Sequence, residues 1–223
     1  DREGIDLTFE SYLYTAGMTH LTMMLPMEFQ VGSMEERMAV LRRPETREKS
    51  LPQMREGLGK VGNQIVGYTG SGRFVGMTLA QAAESEGKSW EDFAYDLMID
   101  ENGIETFVFP WQTPAEEHEA TLDQTAVHPR MMIASDGVYN IPHPHPRGYG
   151  CFVQFLGRYV RERKLVSLEE AVYKMSGFPA ERFGIKDRGR IAEGLAADLV
   201  VFDPETVADR STWQEPVEPA VGV

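Results

Sequence analysis

An apolar run, Arg130-Met131-Met132-Ile133-Ala134-Ser135-Asp136-Gly137, ends on a carboxylate and opens into His143-Pro144-His145-Pro146-Arg147-Gly148-Tyr149-Gly150. A short buried strand that presents Asp136 at its C-terminal tip, beside a glycine, is how α/β barrels mount a catalytic acid or base. The loop that follows adds two imidazoles and a guanidinium within eleven residues, between prolines that limit its freedom. A carboxylate can carry a proton and a guanidinium fork matches an anionic oxygen pair, so the group suggests a polar reaction on a carboxylate-bearing small molecule. A purely structural reading stands beside it: a strand-end aspartate capping the next helix, with prolines shaping the turn.

The elements that must position these residues are well punctuated. Ser33-x-x-Glu36, Thr78-x-x-Gln81, Thr113-Pro114-x-Glu116 and Ser167-x-x-Glu170 match the capping box, and Ser89 before Trp90-Glu91-Asp92 is a further N-cap. Between these starts lie β-rich runs at Ile5 to Tyr12, Gln64 to Tyr68, Thr106 to Phe109 and Met131 to Ala134. Strands alternating with helices predict a parallel sheet with crossover helices. Helices over Tyr149 to Arg163 and Ser167 to Met175 complete that part. Two segments break the alternation. From Met18 to Lys60 the chain holds seven of its twelve methionines, a composition suited to a tolerant apolar lid or to a helical excursion with its own small core. From Lys186 onward, Gly189 to Gly194 is turn chemistry and Ala197-Asp198-Leu199-Val200-Val201-Phe202-Asp203-Pro204 reads as a strand of a separate β layer.

Composition narrows the partners. The 223 residues carry 22 basic and 35 acidic side chains, a net charge of −13. Such a surface repels phosphate backbones and anionic lipid, which disfavours nucleic acid and membrane surfaces. An anionic substrate then needs a dedicated cation, and Arg147 is the best placed. No apolar stretch approaches a membrane span, and a single cysteine, Cys151, excludes an internal disulfide and fits a reducing compartment, so the expected location is the cytoplasm. The chain opens on Asp1 rather than methionine and reads as part of something longer. Four candidate barrel strands against the eight of a closed barrel point the same way, because half a barrel leaves edges and an apolar interior uncovered.

Several stretches carry a resemblance. Gly189-x-Ile191-x-x-Gly194-x-x-Ala197-Asp198-Leu199-Val200-Val201-Phe202-Asp203 resembles the closing signature of the amidohydrolase superfamily. Tyr12-x-Tyr14-Thr15-Ala16-Gly17, Ser135-Asp136-Gly137, His145-Pro146-Arg147-Gly148-Tyr149-Gly150, Leu156-Gly157-Arg158-Tyr159-Val160-Arg161 and Lys186-Asp187-Arg188-Gly189 together resemble the N-acyl-D-amino-acid deacylase (D-aminoacylase) family, over its C-terminal half. The resemblance implies an α/β fold: residues 1–185 as the C-terminal part of a metal-dependent (β/α)8 TIM barrel, about 15–76 of them a lid-like insertion. Residues 186–223 would enter a small β-sandwich. It implies a zinc-dependent hydrolase that deacylates N-acyl-D-amino acids to a carboxylate and a D-amino acid. Asp136 is then the general base and a metal contact, taking a proton from a metal-activated water and returning it to the leaving amine. Arg147 is expected to grip the substrate's α-carboxylate, with Tyr12 and His145 helping to hold the substrate. The partner is a small N-acyl amino acid, and the rest of the barrel must come from the same or another chain.

The departures from that pattern matter as much. The family's histidine and cysteine metal ligands have no counterparts here; His20, His118 and His128 read as surface or packing residues and Cys151 as a small buried thiol. Met18 stands where a small hydroxyl residue is common. One ligand, Asp136, cannot hold zinc alone, so the others are expected outside this segment. Two alternatives stay open: a cyclic-amide hydrolase of the dihydroorotase or hydantoinase type, and a catalytically inert amidohydrolase fragment.

Overall fold

Phe9 lies opposite Met131 and Ser11 opposite Ile133, so the apolar run that ends on Asp136 pairs in parallel with the run near the start of the chain. The computed structural model describes residues 4–58, 62–104, 106–110 and 115–223. In chain order its elements are β1 (Phe9–Ser11), β2 (Ala16–Thr19), α1 (Met34–Leu41), α2 (Pro44–Leu58), β3 (Ile65–Tyr68), α3 (Leu79–Ser85), α4 (Trp90–Asp100), β4 (Thr106–Pro110), α5 (Ala115–Ala126), β5 (Met131–Ile133), α6 (Arg147–Gln154), α7 (Leu168–Val172) and α8 (Phe178–Arg182). The helix begun by α6 continues in wider turns over Phe155–Glu162, and that begun by α7 continues likewise over Tyr173–Gly177. The chain divides into two compact units, one of Asp1–Thr15, Thr113–Val138 and Pro146–Val223, the other of Ala16–Gln112 and Tyr139–His145.

In the first unit β1 and β5 form a two-stranded parallel sheet. Its core gathers Leu13, Leu122, Met131, Ile133, Phe155, Leu156, Tyr159 and Val207. The long helix ends at Arg163; Lys164 turns left-handed (φ 53°) and Leu165 N–H reaches the Tyr159 carbonyl at 2.9 Å. That bond closes the last turn in the manner of a Schellman cap. Ser167 caps α7, its hydroxyl accepting from Glu170 N–H, as the spacing predicts.

The second unit corrects the expectation of a single parallel sheet. β3 and β4 were expected as barrel strands, but they pair antiparallel, and β2, on the far side of β4, pairs antiparallel too, in the order β2-β4-β3. One crossover helix returns a chain for a parallel neighbour. Two helices, α3 and α4, separate β3 from β4, and the extra reversal goes with the antiparallel pairing. β2 itself straddles the start of the methionine-rich segment, where no barrel-like strand was expected. Ser33 and Thr78 form two of the four predicted capping boxes, with Glu36 and Gln81, and Ser89 caps α4 by accepting from Asp92 N–H. The predicted box at Thr113 lies outside the described residues. The unit has a core of its own, in which Met38 and Met54 are buried with Leu21, Leu41, Leu79, Phe93 and Tyr95, whereas Met23 and Met27 face outward.

The tail differs from expectation as well. Ala197 to Asp203 lies in no strand, and Leu199, Val200 and Val201 are exposed. An apolar run becomes a strand only where another backbone answers its amides. Among the described residues no backbone pairs with Ala197 to Phe202; the tail's longer-range backbone bonds lie on either side, at an Ala208–Val221 bridge, from Asp203 N–H to the Gly222 carbonyl and from Ala196 N–H to the Asp187 carbonyl. Gly189 and Gly194 take positive φ, as the predicted turn requires.

Candidate active site

Three of the residues singled out in the sequence come together in the first unit. β5 ends at Ile133, Ala134 N–H still bonds the Ser11 carbonyl at 3.2 Å, and two residues later the chain turns sharply at Asp136. Asp136 has φ 45°, a left-handed conformation that costs L-residues energy and that aspartate tolerates better than most. Such a conformation persists where neighbours over-determine it. Arg147, the first residue of α6, does so: its Nη2 lies 2.6 Å from Asp136 Oδ2 and its Nε donates to the Asp136 backbone carbonyl at 3.0 Å.

The two partners differ in exposure. The Arg147 side chain is 3% exposed while that of Asp136 is 67% exposed. The guanidinium is therefore sealed into the protein and the carboxylate projects from it. Tyr12, one residue past β1, lies face-on beneath the cation, with its ring centroid 4.2 Å from Arg147 Cζ. Burial raises the Tyr12 phenol above its ordinary value, with Arg147 pulling the other way and Asp136 adding to the rise. The Cys151 thiol, on α6, donates to the Ala134 carbonyl at 3.4 Å, and burial pushes it up to about 12. Buried and bonded to that carbonyl, it is a small packing group under the strand tip.

The neighbouring loop residue His145 belongs to the second unit. It is 2% exposed and its Nε2 lies 2.9 Å from the Ala16 carbonyl. His128 packs its ring against Phe9 at 5.0 Å, and its Nδ1 accepts from Arg130 N–H. Among the described residues no three His, Cys, Asp or Glu side chains are grouped as a metal would need. The exposed Asp136 carboxylate has the chemistry of one hard oxygen ligand, so the described residues offer a metal one contact at this site and do not enclose it.

The sequence reading missed Asp209. Its Oδ2 accepts from Tyr14 Oη at 2.7 Å and its Oδ1 from Ser211 N–H at 2.8 Å, and it rests over Gly150 on α6. Nothing in its local sequence marks it. The spacing Gly150-x6-Gly157 was the available signal, since two glycines on one helix face suit the close approach of another backbone.

Residues 121–221 match the amidohydrolase family. Over 96 residues (43% of this chain, 20% of the relative) the sequence is 53% identical to an N-acyl-D-glutamate deacylase of Alcaligenes xylosoxydans xylosoxydans. Over 148 residues (66% and 28%) it is 39% identical to a D-aminoacylase of the same organism. The structure resembles that of N-acyl-D-glutamate deacylase from Bordetella bronchiseptica, complexed with zinc and a phosphonate mimic of the tetrahedral intermediate, with a TM-score of 0.74 and 30% identity over 99% of this chain and 38% of that one. The chain thus spans well under half the length of the relatives it matches.

Proposed function

We propose, on the premise that this chain is the C-terminal part of an amidohydrolase of the D-aminoacylase kind, that its protein hydrolyses the amide of N-acyl-D-amino acids. The observation that carries this reading is the exposed strand-tip carboxylate of Asp136 held at two points by the buried Arg147. The parallel pairing of β1 and β5 supports a barrel setting, with Tyr12 and Asp136 following the C-terminal ends of those strands, where barrel enzymes carry their chemistry.

Zinc, held by ligands outside this segment and touched by Asp136, would acidify the attacking water and polarise the amide carbonyl. The remaining work falls to residues of this chain. Asp136 accepts a proton from the water as it adds to the carbonyl carbon, then delivers it to the departing nitrogen as the C–N bond breaks. Water is consumed, and a carboxylate and an amino acid leave. Arg147 keeps the Asp136 carboxylate aimed, and fixes its backbone through the carbonyl. Because that guanidinium is buried and already bonded to Asp136, it positions this carboxylate rather than gripping the substrate's own, and the Tyr12 ring beneath keeps the cation from swinging away. Hydrolysis of N-acyl-D-glutamate or a related N-acyl-D-amino acid by the full-length, zinc-loaded polypeptide tests the reading. Release of the D-amino acid supports it. A preference for cyclic amides over open N-acyl substrates, or no amide hydrolysis at all, overturns it.

A further inference from the structure

We propose that Asp209 is a positioning residue for this site: the C-terminal segment uses it to clamp together the two stretches of chain that carry Tyr12 and Arg147. The inference rests on the amide-hydrolase reading above.

Asp209 is far from Asp136 in sequence, yet it meets both stretches that build the site. Tyr14, two residues beyond Tyr12, donates its hydroxyl to Asp209 Oδ2 at 2.7 Å and is itself buried. Gly150, one helical turn beyond Arg147, forms the notch in which the carboxylate sits: a Cβ there would stand 2.1 Å from Asp209 Cγ. No other residue type leaves room for the carboxylate at that position. The backbone on either side is guided into place. Val207 is buried, its carbonyl lies over Gly157, where a Cβ would be 2.9 Å away, and it accepts from Arg161 Nη1 at 2.6 Å. On the other side Ser211 N–H holds Oδ1, and Trp213 meets the Tyr14 ring edge-on at 6.2 Å.

The choice of residue is informative. Val207, Arg161 and Trp213 already fasten the tail, and none of those contacts needs a carboxylate. A half-buried charge is unfavourable unless donors answer it, and here two donors do. Its effect is to fix the phenol of Tyr14 against the first turn of α6. That sets the distance between the strand end bearing Tyr12 and the helix start bearing Arg147, and through them the aim of Asp136. The Tyr14 phenol is raised by burial and by Asp209, so it stays protonated and serves as the donor.

The test uses the full-length, zinc-loaded polypeptide and five variants: Asp209→Ala, Asp209→Asn, Tyr14→Phe, Gly150→Ala and the pair Tyr14→Phe/Asp209→Ala. Steady-state hydrolysis of an N-acyl-D-amino acid is read beside zinc content and thermal unfolding. Asp209→Ala and Tyr14→Phe are each expected to lower kcat about tenfold with zinc content unchanged, the scale of one charge-assisted hydrogen bond. The pair should be no slower than the slower single variant, because both remove the same link. Asp209→Asn, whose amide can donate to the phenol oxygen while its carbonyl accepts from Ser211, should recover most of the loss. Gly150→Ala, which evicts the carboxylate with its chemistry intact, should match Asp209→Ala. Unchanged kcat in the folded variants, multiplicative losses in the pair, or no recovery with asparagine would overturn the clamp and leave the hydrolase reading standing. A wild-type protein that hydrolyses no N-acyl-D-amino acid would overturn both.

Discussion

Arg147 holds Asp136 at two points, with Nη2 on the carboxylate at 2.6 Å and Nε on the backbone carbonyl at 3.0 Å. One guanidinium therefore governs both where the carboxylate points and the left-handed turn that presents it. The arrangement is directional: the cation is sealed in and stacked on Tyr12, while the anion faces outward. An outward, immobilised carboxylate is what a proton carrier needs.

Arg147→Lys tests the two-point grip. An ammonium on a flexible stem keeps the charge but cannot place two coplanar donors. We expect kcat to fall by about 10–100-fold, with a modest loss of stability, ~1 kcal/mol, because the exposed carboxylate can rehydrate. Steady-state kinetics beside chemical denaturation checks this; a lysine variant with wild-type kcat would remove the grip from the account.

Alkaline pH should weaken the first unit. Burial raises the Cys151 thiol from 9.0 to about 12 and the Tyr159 phenol from 10.0 to about 12. The folded protein keeps these protons after the unfolded chain has lost them, so their stabilisation is complete below about pH 9 and is lost as pH rises towards 12. The slope is at most ~1.4 kcal/mol per pH unit for each proton. Urea unfolding between pH 8 and 11 should show the decline, and Cys151→Ala should flatten its lower part; parallel curves would contradict the assignment.

At the end of the long helix, Lys164 is exposed and left-handed with φ 53°. Lys164→Gly removes the Cβ penalty at that position and should raise stability by about 0.5–1 kcal/mol without touching kinetics. A neutral or negative change in the denaturation midpoint would speak against the cap.

His145 is buried with Nε2 against the Ala16 carbonyl. His145→Ala should cost about 1–3 kcal/mol of stability, the scale of a buried acceptor left without its donor, and change KM less than twofold. A large rise in KM with intact stability would instead return His145 to the substrate.

Much of this site was legible before any coordinates. Asp136 stands out because it ends an apolar strand-like run beside glycine, and Arg147 because it is the cation of the proline-held loop that follows; Tyr12 entered only through the family resemblance. The serine and threonine caps were legible from their local spacing. What the sequence withheld is what depends on distant partners. β3 and β4 have the composition of barrel strands, and only their antiparallel pairing, in the order β2-β4-β3, reveals a separate sheet. The Ala197–Asp203 run has strand composition, but among the described residues a backbone bond answers it only at its end, from Asp203 N–H to the Gly222 carbonyl. Asp209 sits in unremarkable sequence and gains its place from Tyr14, 195 residues away. The strain at Asp136 was also hidden, since aspartate before glycine serves ordinary turns as readily.

The most direct test of the account is kcat of Asp136→Asn in the full-length, zinc-loaded polypeptide on an N-acyl-D-amino acid. Asparagine keeps the size and suits the turn but cannot take a proton, so a fall of about 10²–10⁴-fold is predicted in a protein that remains folded. Wild-type turnover by the asparagine variant would contradict the account.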